Sequence, residues 1–482
     1  MRTVETAWAG PSERGRAAGP PAASVRGPRT VPGRGLHPGG WARSHALRLL
    51  HALGRGDAAA GLPDRADHPA LSWRRSGLMA VTGTADGPGL MAPAALTAAA
   101  DGASMALWAI SGAAVLERLS GAMLLGERAR VMRLTRRGEI SPGGGSRLLP
   151  SRDGWIAVTL VRCQDWDAVP AWLREDGVAD WPSVATCVRR RSSGFLVDRG
   201  RLLGLAVVPM SRPHSGPRPL FVSRRNGRSV EAGDRGRPLV VDLSALWAGP
   251  LCTRLLRLAG AQVIKVESVR RPDGARFGHR GFYDRLNSGK ACLAVDLQDP
   301  NGQAALRALL MRADIVVEGS RPRALRQIGL DAETIMPDRP GLTWISITGH
   351  GRDDPAGDWI GFGDDCAVAA GLAWQMRRAH GSALFCGDAI GDPLTGLHAA
   401  VVALALHSQG GGHLASLSLA GTVGWCIDSE TDTSTLRARV RRWREAAESD
   451  RAPLYPLPEA EPASALGSDN PALRRQWGLP PC

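Results

Sequence analysis

The stretch CGDAIGDPLTGLHAA, residues 386–400, sets two aspartates, Asp388 and Asp392, in a Gly/Pro-rich turn ahead of an apolar helical run. An aspartate there can cap the helix, which is worth about 1 kcal/mol. It can also stand at the helix mouth as an attacking carboxylate. Spacing alone favours the cap. Other chemistries lack their signatures. Where a nucleotide fingerprint would follow the first strand of the α/β half, the chain reads SALWAGP, with no G-x-G-x-x-G, and no Walker A sequence occurs. No H-E-x-x-H or His/Asp metal pattern is present, and the eight cysteines are scattered without a C-x-x-C pair. No metal is therefore expected, and the thiols fit a reducing cytoplasm. A Ser-His-Asp triad stays open, although no G-x-S-x-G elbow marks one.

The elements that must position these aspartates follow from periodicity. PLVVDLS (238–244) reads as a strand, GPLCTRLLRLAG (249–260) as a helix closed by Gly260, and AQVIKVES (261–268) as a second strand. Helix GQAALRALLMRA (302–313), strand DIVVEG (314–319) and strand LTWISITG (342–349) continue the alternation. This pattern predicts an α/β fold, a Rossmann-like doubly wound parallel sheet with ligands at the strand C-terminal ends. Earlier, RSHALRLLHAL (44–54) and the apolar run 103–125 read as helical, WIAVTLV (155–161) as a buried strand, and DWDAVPAWLRE (165–175) as a helix. The boundaries expected are a largely disordered segment 1–70, a front half 71–210, a Pro/Gly/Arg/Ser-rich linker 211–237, the α/β domain 238–428, and a peripheral or disordered tail 429–482.

The net charge of +14 is a weak sign of nucleic acid. Only Lys265 and Lys290 are lysines, so arginine supplies nearly all of it, as coding bias would, and no recognition motif accompanies it. No nucleic-acid partner is expected. No run of eighteen apolar residues occurs and the N-terminus lacks an apolar signal core, so no membrane association is expected either.

The segments DLSALWAGPLCTRLLRLAGAQVIKVESVRRPDGAR, LNSGKACLAVDLQDPNGQAALRALLMRADIVVEGSRPRALRQIGLD, PGLTWISITGHG and GDPLTGLHAA occur in that order over residues 238–423. Together they resemble the family III coenzyme A transferases, the group of formyl-CoA transferase, carnitine-CoA transferase and α-methylacyl-CoA racemase. The resemblance implies a smaller α+β domain beside the sheet, with coenzyme A or acyl-CoA as substrate and no permanently bound cofactor. It implies a carboxylic acid as second substrate, and a homodimer as one assembly. It places the nucleophile at Asp392, four residues before Gly396, and leaves Asp388 one turn too early. An aspartate with an ordinary pKa near 3.9 would need no separate base. The basic residues implied to face coenzyme A phosphates are Lys265 and Arg276, with Arg270 and Arg271 as local additions. Ala248, Gly249 and Pro250 match the tight loop nearing the active site, preceded here by Trp247 where a polar residue is common. Asp364 and Asp365 match an acidic position that carries a histidine in the racemases. With no histidine there, racemase chemistry is disfavoured, and the spacing to Gly371 leaves either aspartate as the equivalent. The implied activity is acyl-CoA transfer, with a degenerate partner or regulatory protein as the alternative.

The order of parts is unusual. SGLMAVTGTADGPGLMAPAALTAAADGASMAL (76–107) echoes residues 369–404, and matching Gly102 to Gly396 puts Ala98 where Asp392 stands. Residues 143–173 and 202–210 resemble the family's small domain, yet they precede the sheet. This suggests a permuted chain, or one fused from a degenerate copy, whose halves fold together.

Overall fold

The structure, a computed structural model, describes residues 40–63, 68–216, 218–232, 236–427 and 430–480. The expected disorder of residues 1–39 lies outside them. Among the described residues, ten strands form two sheets. Strands β1 (Ser146–Pro150), β2 (Trp155–Thr159) and β3 (Ala206–Pro209) make a small antiparallel sheet in the order β1-β2-β3. Short helices between residues 163 and 202 cover it, giving the α+β unit. The large sheet contains β4 (Val222–Arg225), β5 (Leu239–Leu243), β6 (Gln262–Ser268), β7 (Ala291–Val295), β8 (Ile315–Glu318), β9 (Thr343–Thr348) and β10 (His413–Ser418), in the order β4-β10-β9-β8-β5-β6-β7. All its pairings are parallel except that of edge strand β4.

The chain runs outward from β5 through β6 to β7, then returns to build β8, β9 and β10 on the other flank. The direction therefore switches between β5 and β8, and a doubly wound sheet opens its ligand crevice at such a point. The loops after these two strands touch there: a Cβ on Gly319 would lie 3.4 Å from the Ser244 side chain. Helices cover both faces, which is why LVVDL, IVVE and TWISIT are almost continuously buried rather than alternating.

The remaining layer is helical. Helices α1 (Gly40–Ala52), α2 (Leu96–Ser111), α3 (Gly121–Val131), α4 (Ala248–Leu258), α5 (Gly363–Ala369) and α6 (Gly391–Ser408) matter most for the site. One hydrophobic cluster holds Leu49 and Leu50 of α1, Ala98 and Leu107 of α2, Leu251 of α4, and Leu397 and Val401 of α6. The front half and the α/β half thus share one core. The matched glycines do the same job in each half. A Cβ on Gly102 would lie 2.5 Å from the Ala42 carbonyl oxygen, and one on Gly396 would lie 2.6 Å from that of Ala248. Each bare surface lets a neighbouring helix approach closely.

Several boundaries need correction. Residues 40–52 are helical and packed, because Ala42, Ala46, Leu49 and Leu50 form a buried face. The apolar run 103–125 is broken at Gly112, which has φ 63°, and resumes as α3. The linker contributes β4. The tail forms helices Thr433–Ser449 and Asn470–Trp477, anchored by buried Leu436, Trp443 and Leu473.

Candidate functional site

Asp392 lies where the N-termini of three helices meet. It is the second residue of α6, and Ile390 holds the N-cap position. Its side chain does not cap its own helix: Oδ2 accepts the N–H of Gly363, the first residue of α5, at 3.0 Å. The N–H of Ala248, the first residue of α4, is a further donor toward the carboxylate. Helix N-termini carry positive partial charge and favour an anion between them. The approach requires glycine, since a Cβ on Gly363 would sit 2.3 Å from Asp392 Oδ2. The preceding turn is held in a conformation L-residues rarely adopt, with Ala389 at φ 42°. Asp392 keeps part of its surface open.

Three more aspartates crowd this carboxylate. Asp388 is buried and takes two hydrogen bonds from Arg128 Nη1, at 2.6 and 2.7 Å. Asp364 Oδ1 accepts the Ala389 N–H at 2.8 Å. Asp365 Oδ1 accepts the Phe362 N–H at 2.9 Å and the Thr159 hydroxyl, from β2 of the small sheet, at 3.1 Å. Desolvation pushes Asp392 up to about 7, against the pull of Arg128 and the backbone donors and with repulsion from Asp388. Desolvation also raises Asp364 and Asp365 to about 7. The expectation of an ordinary aspartate is thereby corrected. The nucleophile candidate titrates near neutrality within a coupled carboxylate cluster. Both Asp364 and Asp365 belong to this cluster, so the sequence alternatives converge on one place.

The loop and cationic assignments divide. Ala248, Gly249 and Pro250, matched to a tight loop, form the first turn of α4, and Gly249 is required because a Cβ would meet the Ser244 side chain at 2.2 Å. Lys265 must be corrected. It is 1% exposed, bonded to the Ser244 carbonyl at 2.9 Å and paired with Asp273 at 2.9 Å. Burial opposes its charge, but Asp242, Asp273 and Glu267 together raise its pKa. It braces the loop after β5 and has no face for a phosphate. Arg276 is committed to Glu267 at 2.7 Å, beside the Tyr283 ring. Arg270 pairs with Asp296 at 2.9 Å on the surface. Arg271 is exposed, and its charge reaches Arg321.

Arg321 belongs to a set of arginines that no local motif marks. A groove of about 710 Å³ runs between the small sheet's helices and the C-terminal ends of β8 and β9, with Arg162, Arg201, Arg321 and Arg323 along it. Arg162 pairs with Asp165 at 2.5 Å, and Arg201 stacks 3.6 Å from the Trp359 ring centroid. Desolvation and the like charges of Arg323, Arg162 and Arg271 lower the Arg321 pKa. Ile360 lines the groove, and Gly363 lies three residues on, at most about 10 Å of chain away. The groove thus ends within a few residues of the Gly363 N–H that holds Asp392.

The structure also brings a histidine to the cluster. His350, after β9, has Nε2 3.9 Å from Cys366 Sγ, and burial lowers its pKa to about 4. His350, Asp365 and Cys366 present three donor atoms within 4.8 Å of one another, as do His45, His398 and Cys426 in the core. In the second group His398 Nδ1 donates to the Leu394 carbonyl at 2.7 Å, and the two Nε2 atoms meet at 2.8 Å as a hydrogen-bonded pair. Among the described residues, no helix is long and apolar enough to cross a membrane.

Residues 238–457 match the sequence profile of CoA-transferase family III. The match takes in the parallel strands of the large sheet, α4, α5, α6 and the tail helix Thr433–Ser449. Among curated relatives, a succinyl-CoA–D-citramalate CoA-transferase of Chloroflexus aurantiacus is 35% identical over 185 residues, covering 36% of this chain and 46% of the relative. A succinyl-CoA:glutarate CoA-transferase of Homo sapiens is 31% identical over 197 residues, covering 37% and 45%. The chain thus spans about half the length of the curated relatives it matches. A solved CAIB/BAIF family protein from Brucella suis is 26% identical, with a TM-score of 0.37 over 40% of this chain and 55% of that one.

Proposed function

We propose that the protein is an acyl-CoA:carboxylate CoA-transferase with Asp392 as its nucleophile. The observation that carries this reading is a partly open carboxylate at the meeting point of three helix N-termini; a groove bearing four arginines, ending at Ile360, supports it. A carboxylate oxygen of Asp392 attacks the thioester carbonyl, the C–S bond breaks, and CoA thiolate leaves a mixed anhydride. The thiolate attacks the Asp392 carbonyl, releasing the donor acid and leaving an aspartyl-CoA thioester. The acceptor carboxylate then displaces the thiolate, forming a second anhydride. Attack of the thiolate on the acceptor's acyl carbon gives the new CoA ester and restores Asp392.

The same backbone donors serve twice in this scheme. They hold the carboxylate in the resting state, and they face the oxygen that becomes an oxyanion when thiolate attacks Asp392. That is the geometry of electrostatic preorganisation. In the groove, Arg321 and its neighbours suit the nucleotide phosphates, which replaces the assignment to Lys265, Arg270 and Arg276. The protein acts on soluble small molecules in this reading, in the cytoplasm, with no nucleic acid and no membrane.

Incubation with labelled CoA esters and a panel of carboxylic acids tests the proposal. New CoA esters with ping-pong kinetics are expected. Hydrolysis alone, with no dependence on the acid, refutes it, and binding of CoA without turnover supports the degenerate-partner alternative. A second reading is favoured by His350: a neutral imidazole near Asp365 supplies the base missing from the local sequence, so deuterium exchange at the acyl α-carbon would support a racemase.

A further inference from the structure

The proposed reaction brings an anionic acid to a site that already holds four aspartates, so a cation must meet it. We infer that Arg128, with the Trp247 indole beside it, is the binding point for the carboxylate of the acceptor acid. This rests on the transferase reading of Asp392.

The guanidinium is only half committed. Both bonds to Asp388 come from Nη1, and Nη2 has no hydrogen-bond partner among the described residues. The side chain remains 24% exposed, so solutes can reach it. Nη2 lies toward Gly143, where a Cβ would stand 3.6 Å from it and 3.8 Å from Asp388 Oδ1. The bare glycine leaves that space open.

The Trp247 ring centroid is 5.6 Å from the guanidinium carbon, and that of Phe282 is 5.9 Å away. Trp247 is 4% exposed, yet its Nε1–H has no acceptor. Buried donors are seldom left unmet. The neighbouring side chains thus hold one charged and one neutral uncommitted donor, the kind of group a carboxylate's oxygens accept from. Trp247 directly precedes Ala248, whose N–H serves Asp392, so an acid held here stands next to the nucleophile. Arg128 comes from the front half, which makes that half part of the acid-binding site and more than a scaffold.

Calorimetric titration with succinate and acetate, without CoA ester, tests this on the full chain. In Arg128→Lys, which keeps a charge opposite Asp388, affinity should fall about tenfold or more. In Trp247→Phe, which keeps the ring and removes only the N–H, it should fall several-fold. Thermal unfolding of each variant checks that the fold is retained. Unchanged affinity in Arg128→Lys, or no binding of either acid by the wild-type protein, overturns the inference. A protein that binds succinate through Arg128 but forms no covalent adduct keeps this site and loses the transferase reading. One that forms the adduct while Arg128→Lys binds acids normally loses only this inference.

Discussion

Replacing Asp365 with asparagine separates the cost of the carboxylate cluster from its function. Asp365 is fully buried, with no cation among its hydrogen-bond partners. Its Oδ1 takes both strong hydrogen bonds, while Oδ2 faces Cys366 Sγ at 3.8 Å. The asparagine oxygen can keep the first set and its NH₂ can take the place of Oδ2. Desolvation, with repulsion from Asp392 among the smaller causes, holds Asp365 at about 7 against an ordinary 3.8. A gap of about 3 units at about 1.36 kcal/mol each is about 4 kcal/mol of folding free energy. The folded state keeps a proton that the unfolded chain releases, so this penalty is absent below pH 4 and grows as pH rises to 7. Urea unfolding should therefore show Asp365→Asn gaining on the wild-type protein between pH 4 and 7, by up to about 4 kcal/mol, and holding that gain above pH 7. The repulsion acts both ways, so the midpoint of Asp392 reactivity should also move to lower pH. A stability difference that stays flat with pH would refute the reasoning.

Other outcomes follow from the same geometry. In the wild-type protein, adduct formation from an acyl-CoA should rise about tenfold from pH 6 to pH 8, as Asp392 ionises around 7; a rate fully developed at pH 5 would contradict the raised value. Gly363→Ala puts a Cβ 2.3 Å from Asp392 Oδ2 and should lower the adduct rate about a hundredfold or more, read by stopped-flow release of CoA thiol. Arg321→Gln should raise KM for the CoA ester about tenfold and leave the maximal rate nearly unchanged; an unchanged KM would remove the groove from the binding site.

The parts of this molecule that were legible in the sequence are local ones. LVVDL and VIKVES announce strands, and GDPLTG announces a helix start with a carboxylate beside it. The charge of Lys265 points to a phosphate, but its place in the chain points to the core. It sits in the middle of VIKVES, a strand covered on both faces, where either direction leads inward. Strands β4, β7 and β10 do not stand out, because VSRR is half exposed and arginine-rich, and ACLAV and HLASLS have few β-branched residues. Arg128, Thr159 and His350 are invisible for another reason: Arg128 reaches Asp388 from 260 residues away, Thr159 reaches Asp365 from 206, and His350 meets Cys366, next to Asp365, from 16, and no local spacing encodes such contacts. The perturbed pKa of Asp392 was hidden in the same way, since it arises from the carboxylates and helix ends that the fold gathers.

The central claim is that Asp392 bonds covalently to the acyl-CoA. Incubating the protein with an acyl-CoA and hydroxylamine, then mapping peptides by mass spectrometry, addresses it directly. A hydroxamate on Asp392, lost together with turnover in Asp392→Asn, is the expected result. Turnover of the CoA ester with Asp392 unmodified, or undiminished turnover by Asp392→Asn, would contradict it.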